Sequence, residues 1–177
     1  MILSASFVNI ASRGSFVKMR IFSAVVICSA AASLAWQTQP RYTKWLNEDV
    51  IYIIQPEERA AFLRLNTDEE REKFIEQFWL RRDPMPGTPE NEFKTEHYRR
   101  IAYANEHFAV GKKAGWQTDR GRILIMYGKP DEIESHPGGS MPKEIWLYHH
   151  IDSIGDEVTI EFVDPTGTGD YQIPKKV

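Results

Sequence analysis

Two groups of charged side chains have the residue types needed to bind an anion. Arg81, Arg82 and Asp83 follow one apolar segment of the chain, and Asp119 and Arg120 precede another. A guanidinium group binds a carboxylate or phosphate through two parallel hydrogen bonds, so paired arginines can hold an anionic ligand or substrate. One hypothesis is that both groups converge on one polar site. The alternative is that the arginines form salt bridges and cap a helix, where they favour the negative end of its dipole.

The segment Gly115-Trp116-Gln117-Thr118-Asp119 is a second candidate site. Its aromatic ring, hydroxyl and carboxylate suit a binding role for Trp116, Thr118 and Asp119. In the structural alternative, Gly115 adopts a positive φ, and Thr118 and Asp119 bond to nearby backbone NH groups. Trp116 then fills the junction between a helix and the sheet, and Asp119 pairs with an arginine. Both interpretations remain open.

The sequence lacks the known patterns of catalytic and metal-binding sites. No two of the five histidines have metal-ligand spacing on one face of a helix or strand. There is no Gly-x-Ser-x-Gly motif and no glycine-rich phosphate loop. We therefore predict no metal and no cofactor, we assign no catalytic residue, and we favour a non-enzymatic role.

The first 35 residues differ from the rest of the chain. They contain no acidic residue, and three basic residues precede the apolar run 21–34. This order is typical of a secretory signal peptide. We expect residues 1–35 to be the signal peptide, with Met19 as a candidate true start, residues 36–43 to be a linker and residues 44–177 to be the folded module. An uncleaved N-terminal anchor is the alternative, although a spanning helix needs about 20 apolar residues.

The expected mature part is mildly acidic and contains no cysteine. It carries 19 basic and 25 acidic side chains, a net charge of −6. Proteins that bind nucleic acid or anionic lipid are usually basic, so we expect no nucleic acid and no membrane contact except through an uncleaved leader. In the absence of disulfides, the stability must come from a packed core, which a chain of this length can bury.

Apolar spacing and capping residues predict a series of helices. The first covers residues 44–54, and the second begins at Pro56, which suits the first position of a helix. Thr67 and Glu70 form a capping box for the third helix. That helix carries an apolar stripe and is expected to end near Arg82.

A longer helix is predicted after residue 87. Thr88 is expected to cap it, with Pro89 at its first position. Apolar residues then recur at helical spacing from Phe93 to Phe108, with His97 among them. A lone histidine on such a face is predicted to be a hydrogen-bonded core residue.

Beyond residue 111 the pattern indicates strands. The apolar run 122–127 is predicted to be a strand covered on both faces, and residues 144–149 and 157–163 are predicted to be two more. Residues 171–173 are a candidate edge strand. Because helices come first and strands afterwards, we predict an α+β fold with N-terminal helices packed on a three- or four-stranded antiparallel sheet.

Two further groups in this region have alternative interpretations. The acidic side chains between residues 131 and 134 are predicted to belong to a solvated loop. Trp146, Tyr148 and Phe162 are predicted to pack in the core. If the second face of the sheet is uncovered, these aromatic residues would instead form an apolar patch for a partner protein.

The segment Gly115-Trp116-Gln117-Thr118-Asp119 resembles the signature of the GWxTD domain family. Other segments resemble that family too, and together they extend over nearly the whole expected mature chain. These segments are residues 45–50, 78–84, 86–93, 97–101, 119–123, 127–131 and 161–165. The resemblance implies a bacterial, exported domain and implies no particular reaction.

The sequence favours a non-catalytic binding or interaction protein of the bacterial cell envelope, exported to the periplasm or secreted. An envelope protein is the expected partner, and no oligomeric state follows from the sequence. One alternative is an enzyme or small-anion-binding protein that uses the arginine and aspartate groups. Another is a purely structural accessory domain.

Overall fold

The computed structural model describes residues 40–174. The predicted signal peptide and residues 36–39 of the predicted linker lie outside these residues. The helices are α1 Pro40–Lys44, α2 Pro56–Leu63, α3 Asp68–Leu80, α4 Glu92–Phe108 and α5 Asp119–Tyr127, and the strands are β1 Glu132–His136, β2 Lys143–Ile151 and β3 Gly155–Val163. The predicted α+β class, with helices preceding an antiparallel sheet, is confirmed. Within the described range, no helix is long and apolar enough to cross a membrane.

The folded module begins earlier than the sequence indicated. Helix α1 starts at Pro40, inside the segment 36–43 assigned to the linker, and continues into a π-helical turn, Trp45–Asp49. Tyr42 is only 1% exposed, and its hydroxyl donates to a carboxylate oxygen of Glu72 at 2.9 Å. The buried ring makes this part of the predicted linker a component of the core.

Helices α2 and α3 begin where their capping residues predicted. The backbone NH of Glu70 donates to the Thr67 hydroxyl at 3.2 Å, and the Glu70 carboxylate accepts from the Thr67 backbone NH at 3.0 Å. The predicted capping box is therefore confirmed, and α3 starts directly after it. Pro56 is the first residue of α2, as expected.

The predicted cap of α4 is wrong. Asn91, not Thr88, occupies that position, and its side-chain oxygen accepts from the backbone NH of Lys94 at 2.8 Å. The Thr88 hydroxyl instead donates to the backbone oxygens of Met85 and Glu90, so it stabilises the turn before the helix. Asparagine caps a helix at least as well as threonine, and α4 begins directly after Asn91.

The predicted strand at residues 122–127 is also wrong, because this run lies in helix α5. Thr118 caps the helix by accepting from the backbone NH of Gly121 at 3.1 Å, and Gly128, with a φ of 87°, ends it. The side chains of the central residues Ile123, Leu124 and Ile125 are all buried. A helix buried on most sides shows no 3.6-residue period, so its sequence resembles that of a buried strand.

The sheet has the order β1-β2-β3, with both pairs antiparallel. Strands β2 and β3 confirm two of the predicted strands, with longer bounds. Strand β1 occupies the place of the predicted acidic loop, so that prediction is wrong for Glu132 and Glu134. The candidate edge strand at residues 171–173 is reduced to one bridge between Val163 and Gln172.

The buried side chains form two clusters. The helical cluster comes from α1 to α3 and their connections: Tyr42, Trp45, Leu46, Val50, Phe62, Phe78 and Trp79. The sheet cluster joins α4 and α5 to the strands: Ala104, Ile123, Leu124, Ile125, Trp146, Tyr148, Ile151 and Phe162. The three aromatic residues of the strands therefore lie in the core, as predicted.

Helix α4 contacts both clusters. The His97 ring packs against Trp79 at an interplanar angle of 50°, with ring centroids 5.6 Å apart, and its Nε2 lies 2.6 Å from the backbone oxygen of Asp49. Burial lowers the pKa of His97, so the neutral ring is favoured. The prediction of a hydrogen-bonded core histidine is confirmed. Ala104, two turns further on, belongs to the sheet cluster.

Candidate functional site

Gly115 lies where two backbones approach too closely for any side chain. A Cβ atom on this residue would lie 1.7 Å from the backbone oxygen of Ala104 on α4. A Cβ on Gly121 would lie 1.9 Å from the backbone oxygen of Gly115. The expectation of a positive φ at Gly115 is wrong, because glycine is needed there for close packing and not for a left-handed conformation.

We call residues 115–119 the motif turn. The side chains of Thr118 and Asp119 bond to the backbone of the motif turn and of the C-terminal segment. Thr118 is 2% exposed, and its hydroxyl donates to the backbone oxygen of Gly115 at 2.8 Å. One oxygen of Asp119 accepts from the backbone NH of Ile173 at 2.8 Å, and the other pairs with Arg122 at 3.1 Å. These contacts match the structural interpretation of both residues.

Trp116 joins the motif turn to two neighbouring elements. Its backbone NH donates to the side-chain oxygen of Asn105 on α4 at 3.1 Å, and its backbone oxygen accepts from the hydroxyl of Tyr52 at 3.0 Å. Its half-buried ring packs against the sheet cluster. The side chain therefore lies at the predicted helix–sheet junction and still reaches the surface.

Arg81 and Arg82 both bind one carboxylate, that of Glu58 on α2. The ion-pair distances are 2.8 Å for Arg81 and 2.7 Å for Arg82, and the Arg82 guanidinium lies 3.6 Å from the ring centre of Phe78. Burial by itself would raise the pKa of Glu58, but hydrogen bonds from Arg82 and Arg81 outweigh it and lower the pKa to about 2. Asp83 accepts from a backbone NH in the following turn at 2.9 Å.

Arg120 occupies a separate site against the sheet. It pairs with Glu144 on β2 at 3.3 Å, and both side chains are largely buried. Its guanidinium lies 4.7 Å from the ring centre of Phe108 and 4.3 Å from that of Tyr171. It also donates to the backbone oxygen of Gly169 at 3.1 Å. Arg120 thus connects α4, β2 and the C-terminal segment.

The structure does not bring the two charged groups together. Arg81 and Arg82 pack against the helical cluster, whereas Asp119 and Arg120 contact the sheet and the C-terminal segment. Among residues 40–174, no hydrogen bond or ion pair links one group to the other. The hypothesis of one shared polar site has no contact to support it, because the ion pairs of the two groups lie in different parts of the fold. In the same range, no group of three or more His, Cys, Asp or Glu is placed to hold a metal ion.

One cleft borders the motif turn, and we call it the motif cleft. It has a volume of about 420 Å³. The lining residues are Lys44, Glu48, Asp49, Ile101, Asn105, Ala109, Ala114, Gly115 and Trp116. Of the residues that the sequence singled out for binding, Trp116 is the one in this lining, and Lys44 and Asp49 are ion-paired at its border.

A wider groove, of about 620 Å³, lies on the side of the sheet away from the core. We call this side the outer sheet face. The groove is lined by Glu132, Ile133, Glu134, Ile145, Leu147 and Thr159. Sequence reasoning missed this surface because the acidic residues were assigned to a loop. The alternation of Glu132, Ile133 and Glu134 was a strand signal that could have revealed it.

Comparison with known proteins identifies the family of the chain. No curated protein and no solved structure matches the chain. The family model described as the GWxTD domain matches residues 29–172, which is most of the chain. The match covers the motif turn, both clusters and all three strands. The chain therefore belongs to the GWxTD domain family.

Proposed function

We propose that this chain is a non-catalytic binding module of the bacterial cell envelope and that it holds a partner protein on the outer sheet face. The single observation that carries the proposal is the groove of about 620 Å³ on this face, where the half-buried side chains of Ile145 and Leu147 lie beside the acidic side chains of Glu132 and Glu134. Exposed apolar grooves with a polar border are typical of protein interaction sites.

The two faces of the sheet differ in how they are covered. Trp146, Tyr148 and Phe162 on the inner face are buried under the helices. Ile145 and Leu147 alternate with these residues along β2 and therefore point to the opposite face. Neither belongs to the helical or the sheet cluster. The core does not account for their apolar character, which suits contact with a partner.

The two alternatives have less support. An anion-binding or enzymatic role for the arginines would require free guanidinium groups, but Arg82 and Arg120 are each held by a carboxylate and a backbone oxygen. A purely structural role fits the motif turn well, because its side chains bond to neighbouring backbone. A purely structural role does not explain why apolar side chains lie in the groove on the sheet.

A location in the cell envelope is part of the proposal. It is supported by the order of basic, apolar and small residues in the first 35 residues, which is typical of exported proteins. Fractionation of the native bacterium, with antibody detection, would test it. Recovery with the cytoplasmic proteins would contradict the proposed location.

The proposed surface can be tested by site-specific photocrosslinking of the full chain in living cells. A photoreactive residue replaces Leu147 in the groove, and a matched control replaces the exposed Gln77 on α3. We expect one defined protein, identified by mass spectrometry, to be crosslinked from position 147 and not from position 77. Equal labelling from both positions, or none from 147, would contradict the proposal.

A further inference from the structure

We infer that strand β1 is a docking edge for an extended segment of the partner, in which basic and apolar residues alternate. The segment would add to the sheet as a fourth strand beside β1. This inference rests on the proposed function, because it specifies which partner chemistry the outer sheet face accepts.

The two edges of the sheet are not equivalent. Strand β3 is partly closed by Gln172, which exchanges two backbone hydrogen bonds with Val163, at 2.8 and 2.7 Å. Strand β1 pairs with β2 on one side, and no described residue pairs with its other side. Its unpaired backbone NH and carbonyl groups are a template for another strand.

The side chains of β1 specify what the added strand would carry. Glu132 and Glu134 pair with Leu147 and Ile145, so they point to the outer sheet face. A strand beside β1 would place the Cβ atoms of its outward residues about 5 Å from those of Glu132 and Glu134, where lysine or arginine is favoured. Glu161 on β3 lies on the same face, opposite Ile145. His136 contacts Glu134 at 2.7 Å at the far end of β1, so Glu132 and the open side of Glu134 are the positions left for a basic side chain.

The residue between the two glutamates requires an apolar partner. Ile133 pairs with Trp146, so its side chain points to the inner side although this edge residue also borders the outer groove, and it is 56% exposed. The helices that bury Trp146 do not extend over the edge strand. An added strand would cover Ile133 with its inward residue, so the matching pattern is basic, apolar, basic.

The negative charges of Glu132 and Glu134 disfavour a second copy of this chain as the strand that pairs with β1. If β1 paired with β1 of another copy, Glu132 and Glu134 of both copies would gather on one face of the joint sheet. Like charges at cross-strand positions are destabilising, and acidic edge residues commonly prevent self-association. A partner segment with basic residues removes this repulsion.

The test uses the full chain and a labelled peptide of alternating lysine and valine, long enough to span β1. Binding is followed by fluorescence anisotropy. We expect saturable binding, and we expect the double variant Glu132→Lys, Glu134→Lys to weaken it by about tenfold or more. A peptide of alternating glutamate and valine should bind this variant and not the wild type. Such a charge swap cannot arise from misfolding, because the variant gains a ligand.

Two controls separate strand addition from simple charge attraction. The lysine–valine peptide with N-methylated backbone keeps its charges but cannot pair with a strand, and it should not bind. The variant Glu161→Lys changes the charge of the outer sheet face away from β1 and should bind the peptide within about threefold of the wild type, since screening weakens distant charges. Equal binding of the methylated peptide would overturn the inference.

Self-association is the remaining outcome to measure. Sedimentation equilibrium is expected to give a monomer for the full chain at the peptide-binding concentrations. A dimer that the Glu132→Lys, Glu134→Lys variant disrupts would overturn the inference in favour of a second copy.

If crosslinking from position 147 succeeds but the peptide does not bind, strand addition is wrong and the proposed function stands. If position 147 yields no crosslink, the proposed function itself is wrong.

Discussion

The motif turn and the outer sheet face have opposite properties. The motif turn contains the residues that define the family, and it is closely packed against the backbone of α4 at Ala104. The outer sheet face has no conspicuous motif, yet it presents Ile145 and Leu147 in an open groove. In this protein the recognisable motif therefore lies in the part of the molecule that assembles the fold, while the surface available to a partner has an ordinary sequence.

The side chains of the two regions have different roles. In the motif turn, side chains replace the backbone bonds missing at the start of α5, as Thr118 does for Gly121. On the outer sheet face, the strand ladder already satisfies most of the backbone of β2, so the side chains remain free to select a partner. We therefore expect substitutions in the two regions to affect different measurements.

The largest effect is expected for Gly115→Ala. The new Cβ would lie 1.7 Å from a backbone oxygen of α4, and backbone cannot move aside as a flexible side chain can. We expect a loss of about 3 kcal/mol or more in the free energy of unfolding, measured by urea denaturation. Gly138→Ala is the matched control, because no atom beyond its two chain neighbours lies within 4 Å of its Cβ position. A loss below about 1 kcal/mol at Gly115 would show that the motif turn is not closely packed.

A smaller effect is expected for Glu58→Gln, which removes the carboxylate bound by Arg81 and Arg82. Hydrogen bonds to charged groups contribute about 2 kcal/mol, so the variant should lose about that much at pH 7. The folded pKa of Glu58 is lowered to about 2 from an ordinary value of 4.5. The wild type therefore has this stability above about pH 4.5 and loses it as the pH falls towards 2.

The measurement is urea denaturation of both proteins across this pH range. The difference between the wild type and Glu58→Gln should shrink steadily below pH 4.5. Glu76→Gln, at an exposed position on α3, is the control and should change the stability by less than about 0.5 kcal/mol. A difference that does not depend on pH would mean that the carboxylate charge does not stabilise the fold, and the arginines would again be candidates for ligand binding.

The smallest effects are expected when threonine is replaced by valine once in the motif turn and once on the outer sheet face. Thr118→Val removes a buried hydroxyl that caps α5 and should cost about 1 kcal/mol. Thr159→Val on the outer sheet face keeps the β-branched shape at an exposed strand position and should change the stability by less than about 0.5 kcal/mol. Thermal melting of both variants checks this. Equal losses would remove the distinction between the two regions.

The starts of α2 and α3 were predictable from the sequence because they depend on local chemistry, and the order of helices and strands was enough to predict the α+β class. The Thr67 and Glu70 capping box and the position of Pro56 involve residues a few positions apart, and the structure has both. The choice between Thr88 and Asn91 as the cap of α4 was not predictable, because each can cap a helix by the same mechanism. The capping residues predicted that a helix starts between residues 88 and 92, and the tertiary structure selected Asn91 as its cap.

The strands and the candidate site were less predictable. The run 122–127 could be a buried strand or a buried helix by its apolar character alone, and contact with α4 decided for the helix. The spacing of Arg81, Arg82, Asp119 and Arg120 did not show whether they meet. That depends on Glu58 and Glu144, which lie far away in the sequence and pair with the two arginine groups separately.

The family could be recognised from the motif segments of the sequence, and the fold class from its caps, turns and apolar periods, because these act over a few residues. The tertiary structure was needed to show that Gly115 is a packing glycine, that the outer edge of β1 is open, and that the half-buried Ile145 and Leu147 face away from the core. These properties depend on which distant segments come together, and pairwise packing over long separations leaves no local pattern in the chain.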